Sequence, residues 1–339
     1  MSKVLVISGP TATGKTQLAF ALAKKFNGEL ISADSRQVYK EMDIGTGKEF
    51  STEIPTWGCD VVRPDQEWSA AHFVKLADKL IPEIQNRGKL PIIVGGTGLY
   101  ISNLLNPPET LNIPPDKELR VELEKLSVTE LQDRLGKINK KRFEEMNESD
   151  RQNPRRLVRA IEVFSVIPAI LRQAQDGEHR RTKAGIYLNR FPIKSGMTSE
   201  LWVKPGMTNV LHIALATSIN IIDKRIEERV RQRIEKGAEE EVRKLVKKYG
   251  WDSALRFTIG YKEWRTDSHG RSKRPRNDSS GQGSLEEIIK LWTIHEKQYA
   301  RRQLVWMAKY SPDKLFDIGD PNYYQDIEAY VGRWYYRKE

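Results

Sequence analysis

Eight residues near the amino end, Gly9-Pro10-Thr11-Ala12-Thr13-Gly14-Lys15-Thr16, have the composition and spacing of a phosphate cradle. The small residues let backbone N–H groups turn inward on an anion, Lys15 can reach a terminal phosphate, and the Thr16 hydroxyl is placed to ligate Mg²⁺. A di- or triphosphate is the ligand that such a loop implies. Asp34, in Asp34-Ser35-Arg36-Gln37, is the second candidate. A carboxylate there can bind a metal through water, take a proton from an acceptor, or cap the turn that follows. On the residues alone these roles stay open.

The elements that must hold these groups can be read from the apolar pattern. Val4 to Ile7, Glu29 to Ser32 and Leu90 to Val94 read as strands, and Gln17 to Phe26 and Ala70 to Gln85 as helices between them. This alternation predicts an α/β fold with a parallel sheet flanked by helices, like that of P-loop nucleotide-binding proteins, with ligands beyond the carboxyl ends of the strands. The phosphate loop, Ala33-Asp34-Ser35 and Gly95-Gly96-Thr97-Gly98 each follow a strand, so all three should meet in one crevice.

Prolines at 107, 108, 114 and 115 mark a change of character, after which charged amphipathic helices are expected between Asp116 and Phe164. The predicted organisation is a catalytic core of residues 1–110 and 208–339 with a mainly helical insertion at 111–207. Glycines and prolines interrupt any periodicity over 166–210. Leu211 to Leu215 should return to the sheet, and Asn220 to Tyr249 carries Ile222, Ile226, Val230, Ile234 and Ala238 four apart, as one helical stripe. Thr266 to Ser284 is polar and rich in Gly, Ser and Arg, as in a flexible loop. A final long helix is expected over Leu285 to Met307, before an aromatic tail.

The 339 residues carry a formal charge of +11, yet residues 1–110 are neutral, so the whole excess lies in the remainder. A neutral phosphate-loop lobe joined to a basic remainder suits an enzyme that holds a polyanion such as RNA. Charge alone also fits a generally basic soluble protein. Cys59 is the only cysteine, which excludes an internal disulfide and a Cys-rich zinc site and suits a reducing compartment. No signal peptide or membrane-length apolar run is evident, so a cytoplasmic, soluble protein with no membrane association and no obligate protein partner is expected.

Longer motifs sharpen the reading. The phosphate loop, Asp34-Ser35-Arg36-Gln37-Val38-Tyr39 continuing through Met42 to Lys48, Gly95 to Tyr100, Asn153 to Val163, Ile259 to Glu263, and Tyr299-Ala300 with Arg302-Gln303 and Trp306 together resemble the tRNA dimethylallyltransferase family, of bacterial type. The resemblance spans about residues 3 to 310. It implies transfer of a dimethylallyl group from its diphosphate to N6 of an adenosine beside the anticodon, with Mg²⁺ as cofactor and the tRNA anticodon stem-loop as partner.

On that resemblance Gly9 to Thr16 hold the diphosphate, Thr16 holds the metal, Thr11 bonds the bridging oxygen, Arg225 rather than Arg229 contacts the diphosphate, and Asp34 is the general base. Asp34, Ser35, Arg36, Gln37, Thr97, Arg120, Arg155, Arg156, Leu157, Val158, Arg159, Gly260, Tyr261 and Lys262 are the implied tRNA contacts. The chain departs from the family pattern at Ser165 to Pro168, in the length of the 266–284 stretch, and in carrying Arg at position 155. Two other readings stay open: an adenylate isopentenyltransferase acting on free AMP, ADP or ATP, and a small-molecule kinase with ATP in the loop.

Overall fold

The computed structural model describes residues 3–175, 209–265, 282–310 and 312–337. The apolar run at the amino end forms β1 (Lys3–Ser8), buried along its whole length. It is followed by α1 (Lys15–Lys25), β2 (Gly28–Ser32), β3 (Thr56–Trp57), α2 (Ala70–Asn86), β4 (Leu90–Gly95) and α3 (Gly98–Leu105). Later come β5 (Asn209–Ala216), α9 (Ile219–Glu235), α10 (Ala238–Tyr249), α11 (Gln282–Lys309), β6 (Lys314–Asp317) and α12 (Tyr323–Tyr336). The intervening helices, α4 to α8, are described below.

Among the described residues six strands form one sheet in the order β3-β2-β4-β1-β5-β6, every pairing parallel. Registers such as Ile7 opposite both Val94 and Ile213 align the carboxyl ends of β1, β4 and β5. One sheet face packs Leu5, Ile7, Leu30, Ile92 and Ile213 against Leu18 and Leu22 of α1 and Ile327 and Val331 of α12. Each such fully buried aliphatic side chain contributes about 1.5–3 kcal/mol. Lys3 donates from Nζ to the carbonyls of Tyr335 and Arg337, both at 2.8 Å, tying the end of α12 to the first strand.

The expected sheet and its main helices are observed. Three boundaries differ. The single stripe over 220–249 is two helices, because Gly237 adopts φ 92° between α9 and α10, a conformation costly for any residue with a Cβ. Helix α11 starts at Gln282, inside the stretch expected to be a loop, whose residues 266–281 lie outside the described residues. The short strands β3 and β6, on the two edges, were not anticipated.

The chain divides into two compact units, Met1–Asn106 with Trp202–Glu339, and Pro107–Leu201. The second contains α4 (Lys117–Leu123), α5 (Val128–Ile138), α6 (Lys140–Glu145), α7 (Glu148–Arg151) and α8 (Pro154–Gln175), the last running past the expected limit at residue 164. Much of the irregular 166–210 stretch lies outside the described residues. Side chains of Asp116, Ser127, Asn139 and Asn147 cap α4 to α7, each accepting from a backbone N–H. Leu123, Leu131, Leu135, Met146, Leu157 and Ile161 form the unit's core.

Candidate active site

The phosphate loop joins β1 to α1. Gly14, the residue before α1, has φ 79°, and Ala12 has φ 65°; these left-handed turns wind the loop tightly around the helix amino end. Thr13 Oγ1 donates to the Pro10 carbonyl at 2.8 Å, and Lys15 Nζ folds back to the same carbonyl at 2.6 Å. The loop therefore braces itself from within. Burial, reinforced by the positive charge of Arg229, lowers the Lys15 ammonium to a pKa of about 7.

A cavity of about 300 Å³ opens beyond the strand ends. Thr11, Ala12, Gly14, Lys15 and Thr16 line one side, and Asp34, Arg36 and Gln37 follow from β2. Arg225 and Arg229 reach in from α9, and Gly95 and Gly96 from the end of β4. Leu30, Thr56, Cys59 and Val94 add less polar lining. Burial pushes the Cys59 thiol up to about 11, which keeps it an uncharged wall at neutral pH.

Asp34 and the loop thus face a common space. Its Oδ1 accepts from the Arg36 backbone N–H at 2.8 Å. Thr97 Oγ1 accepts from the Ser35 N–H at 3.0 Å, coupling the turn after β2 to that after β4. Of the two arginines on α9, Arg229 makes the closer contact, donating to Thr11 Oγ1 at 3.1 Å, whereas Arg225 is exposed and its guanidinium is 3.4 Å from the Ala12 carbonyl. Their one-turn spacing brings both arginines to the loop.

Several motif residues point away from solvent. Tyr261 is fully buried and donates its hydroxyl to Glu241 at 2.7 Å, and Gly260 donates its N–H to Glu263 at 2.8 Å. The Tyr261 side chain is a core group, and Lys262 beside it is half-buried. Arg36 is likewise buried, with Nη1 2.9 Å from Glu296. In the second unit Leu157 and Val158 are core residues, and Arg120 makes a two-pronged contact with buried Glu162 at 2.7 and 3.0 Å. Arg159 joins the same carboxylate at 2.6 Å. Arg155 and Arg156 are exposed, Arg156 paired with Asp150.

Among the cavity residues without a role in the sequence reading, one stands on α11. Gln303 of α11 accepts from the Thr11 N–H and donates to the Gly96 carbonyl, both at 2.8 Å, and so clamps the phosphate loop to the β4 turn. The signal was present in the spacing of Tyr299, Gln303 and Trp306, which places them on one helix face.

Fold and cavity define a phosphate-loop protein whose anion cradle opens onto a carboxylate and two arginines. Two family descriptions match the chain, "IPP transferase" over residues 37–310 and "Isopentenyl transferase" over residues 2–57. The chain belongs to the IPP transferase family, and so to the prenyltransferases. It is 34% identical over 337 residues to a tRNA dimethylallyltransferase of Thermoanaerobacter sp. (strain X514), covering 97% of this chain and 96% of that one. Identity to the enzyme of the same name from Acetivibrio thermocellus is 37% over 318 residues, 91% of this chain and 90% of the other.

Among solved structures, the tRNA isopentenylpyrophosphate transferase of Bacillus halodurans aligns with a TM-score of 0.63 and 31% identity, over 99% of this chain and 97% of that chain. A eukaryotic dimethylallyltransferase acting on tRNA aligns with a TM-score of 0.73 and 25% identity, over 98% of this chain and 79% of the other.

Proposed function

We propose that this protein transfers a dimethylallyl group from dimethylallyl diphosphate to N6 of the adenosine adjacent to the anticodon of tRNA, releasing diphosphate. The observation that carries this reading is the shared cavity: the phosphate loop and Asp34 line the same space, at a scale that suits a small diphosphate and one base. The membership in the family and the names of its relatives agree with it.

The cradle holds the leaving group. Loop N–H groups, Lys15 and Arg229 stabilise charge that grows on the diphosphate oxygens as the allylic C–O bond breaks and its electron pair departs with them. Arg229 donates to Thr11 Oγ1, so the Thr11 hydroxyl keeps its own hydrogen for the bridging oxygen. Arg225, one helical turn away, adds positive charge at the cavity mouth. The Thr16 hydroxyl, water and the diphosphate's own oxygens make an all-oxygen set of the kind Mg²⁺ takes. Among the described residues no cluster of three or more His, Cys, Asp or Glu side chains forms a separate metal cage, in keeping with a cation that arrives with its diphosphate. Such an ion, when bound, would neutralise charge on the departing group.

The exocyclic amine of adenine is a weak nucleophile because its lone pair is delocalised into the ring. Asp34 accepts the N6 proton as the C–N bond forms, and the same hydrogen bond selects adenine. The base must leave its stack to reach the cavity, as in other enzymes that modify nucleobases. Ser35, Gln37, Thr97 and Lys262 are the polar contacts proposed for the flanking nucleotides. Arg155 and Arg156, exposed on the helical unit, are proposed to hold phosphates of the tRNA. Arg120 and Arg159 support that surface through Glu162.

The test is incubation with Mg²⁺, labelled dimethylallyl diphosphate, and either unmodified tRNA or AMP. Label in tRNA is expected. Label confined to AMP, or phosphoryl transfer from ATP, would overturn the proposal. Asp34→Asn should lower turnover about 10²- to 10⁴-fold while tRNA still binds, and unchanged turnover removes Asp34 from the mechanism.

A further inference from the structure

Behind Asp34 lies a buried ionic cluster that the reaction as described does not use. Glu296, on α11, is 2% exposed, and its Oε1 accepts from Arg36 Nη1 at 2.9 Å and from Arg233 Nη1 at 3.2 Å. Burial alone would raise this carboxyl; Arg36, Arg233 and Arg229 outweigh it and bring Glu296 down to about 2. Arg233 is in turn fixed by the carbonyls of Gly45 and Thr46, at 3.2 and 3.3 Å.

Arg36 stands between Glu296 and the proposed base. Its guanidinium lies 4.6 Å over the Tyr299 ring, and its Nε is 3.7 Å from Asp34 Oδ1, a loose ion pair without a hydrogen bond. That Nε is buried and has no hydrogen-bond partner, and neither has Glu296 Oε2. The cluster is therefore incompletely satisfied, and the unbonded Arg36 Nε is its member nearest Asp34. Buried ionic clusters of this kind cost about as much in desolvation as they return, so stability alone is a weak reason for one.

We propose that Glu296 is a positioning residue of the transfer reaction, holding Arg36 back from Asp34 so that the carboxylate remains available to the adenine amine. A guanidinium adjacent to a carboxylate, with an open Nε and a flexible stem, readily forms a two-pronged pair with it. That pair would occupy both Asp34 oxygens and lower their basicity. Glu296 competes for the same guanidinium from the opposite side, and the Tyr299 ring limits its rotation. Arg36 is thus kept near enough to fix Asp34 Oδ1 through its backbone N–H, yet its charged head stays turned to α11. The inference rests on Asp34 being the base.

The experiment measures single-turnover transfer at saturating tRNA and donor for wild type, Asp34→Asn, Glu296→Gln, and Glu296→Gln combined with Arg36→Met. Glu296→Gln should slow the chemical step about 10- to 100-fold, the scale of a misplaced catalytic group, with the donor Kd changed less than about threefold. Adding Arg36→Met removes the guanidinium that would capture Asp34, so the double variant should recover at least about fivefold of that loss. A merely structural role predicts no recovery.

A wild-type rate for Glu296→Gln, or a double variant no faster than the single, overturns the proposal. Should Glu296→Gln not fold, Glu296→Asp, which keeps the charge but withdraws it by one methylene, replaces it with the same criteria. A wild type that transfers nothing to tRNA, or an active Asp34→Asn, would instead refute the assigned reaction or base.

Discussion

Lys15 supplies a pH test of the anion cradle. With its pKa lowered to about 7, the ammonium is half protonated at pH 7 and about 1% protonated at pH 9. A bound diphosphate places negative charge beside it and favours the charged form, so binding must draw a proton from solvent wherever the unoccupied site has lost one. The sign follows directly: affinity is highest below pH 7 and falls as pH rises through it. From pH 7 to pH 9 the fall should be about fiftyfold, and proton uptake should rise from about 0.5 to about 1 per ligand bound. Neither the donor, whose last phosphate proton leaves at about pH 6, below this range, nor the Cys59 thiol, held up at about 11, should mask the effect.

Isothermal titration with dimethylallyl diphosphate, without acceptor and in two buffers of different ionisation enthalpy, measures both quantities. Lys15→Met should bind weakly at every pH with little uptake. An affinity that is flat from pH 7 to pH 9, or binding without proton uptake, would refute the reasoning.

Further outcomes follow from single contacts. Gln303→Leu strands the Thr11 N–H and the Gly96 carbonyl, which should cost about 1–3 kcal/mol in chemical unfolding and weaken donor binding in the same titration. Glu162→Ala leaves the half-exposed Arg120 and Arg159 guanidiniums without their shared buried carboxylate, and should destabilise the helical unit by about 1–3 kcal/mol. Limited proteolysis should then cut within 107–175, with donor affinity retained and tRNA affinity reduced.

Much of the core fold was legible because β1, β2, β4 and β5 are each built around a short cluster of apolar residues, as burial within a parallel sheet demands. The two edge strands were not. Thr56–Trp57 is too short to show a period, and Lys314–Asp317 has only Phe316 buried. At the site, motifs gave positions along the chain but not the direction of each side chain. Lys15 and Asp34 line the cavity, whereas Leu157 and Tyr261, equally prominent in their motifs, turn inward. Glu296 and Gln303 escaped a functional reading because their partners lie between about 60 and 290 residues away, and no local pattern records such a contact.

The placement of β1 in the middle of the sheet also bears on synthesis. As the chain is synthesised, β1 must wait for neighbours at residues 90–95 and 209–216 before both of its edges are covered. At about 5–20 residues per second the second partner emerges roughly 10–40 s later. During that interval the apolar run Val4 to Ile7, already adjacent to its anion loop, keeps at least one edge of open backbone groups that invites wrong pairing. Nascent chains halted between β4 and β5 should accordingly depend on chaperones far more than chains released after α12.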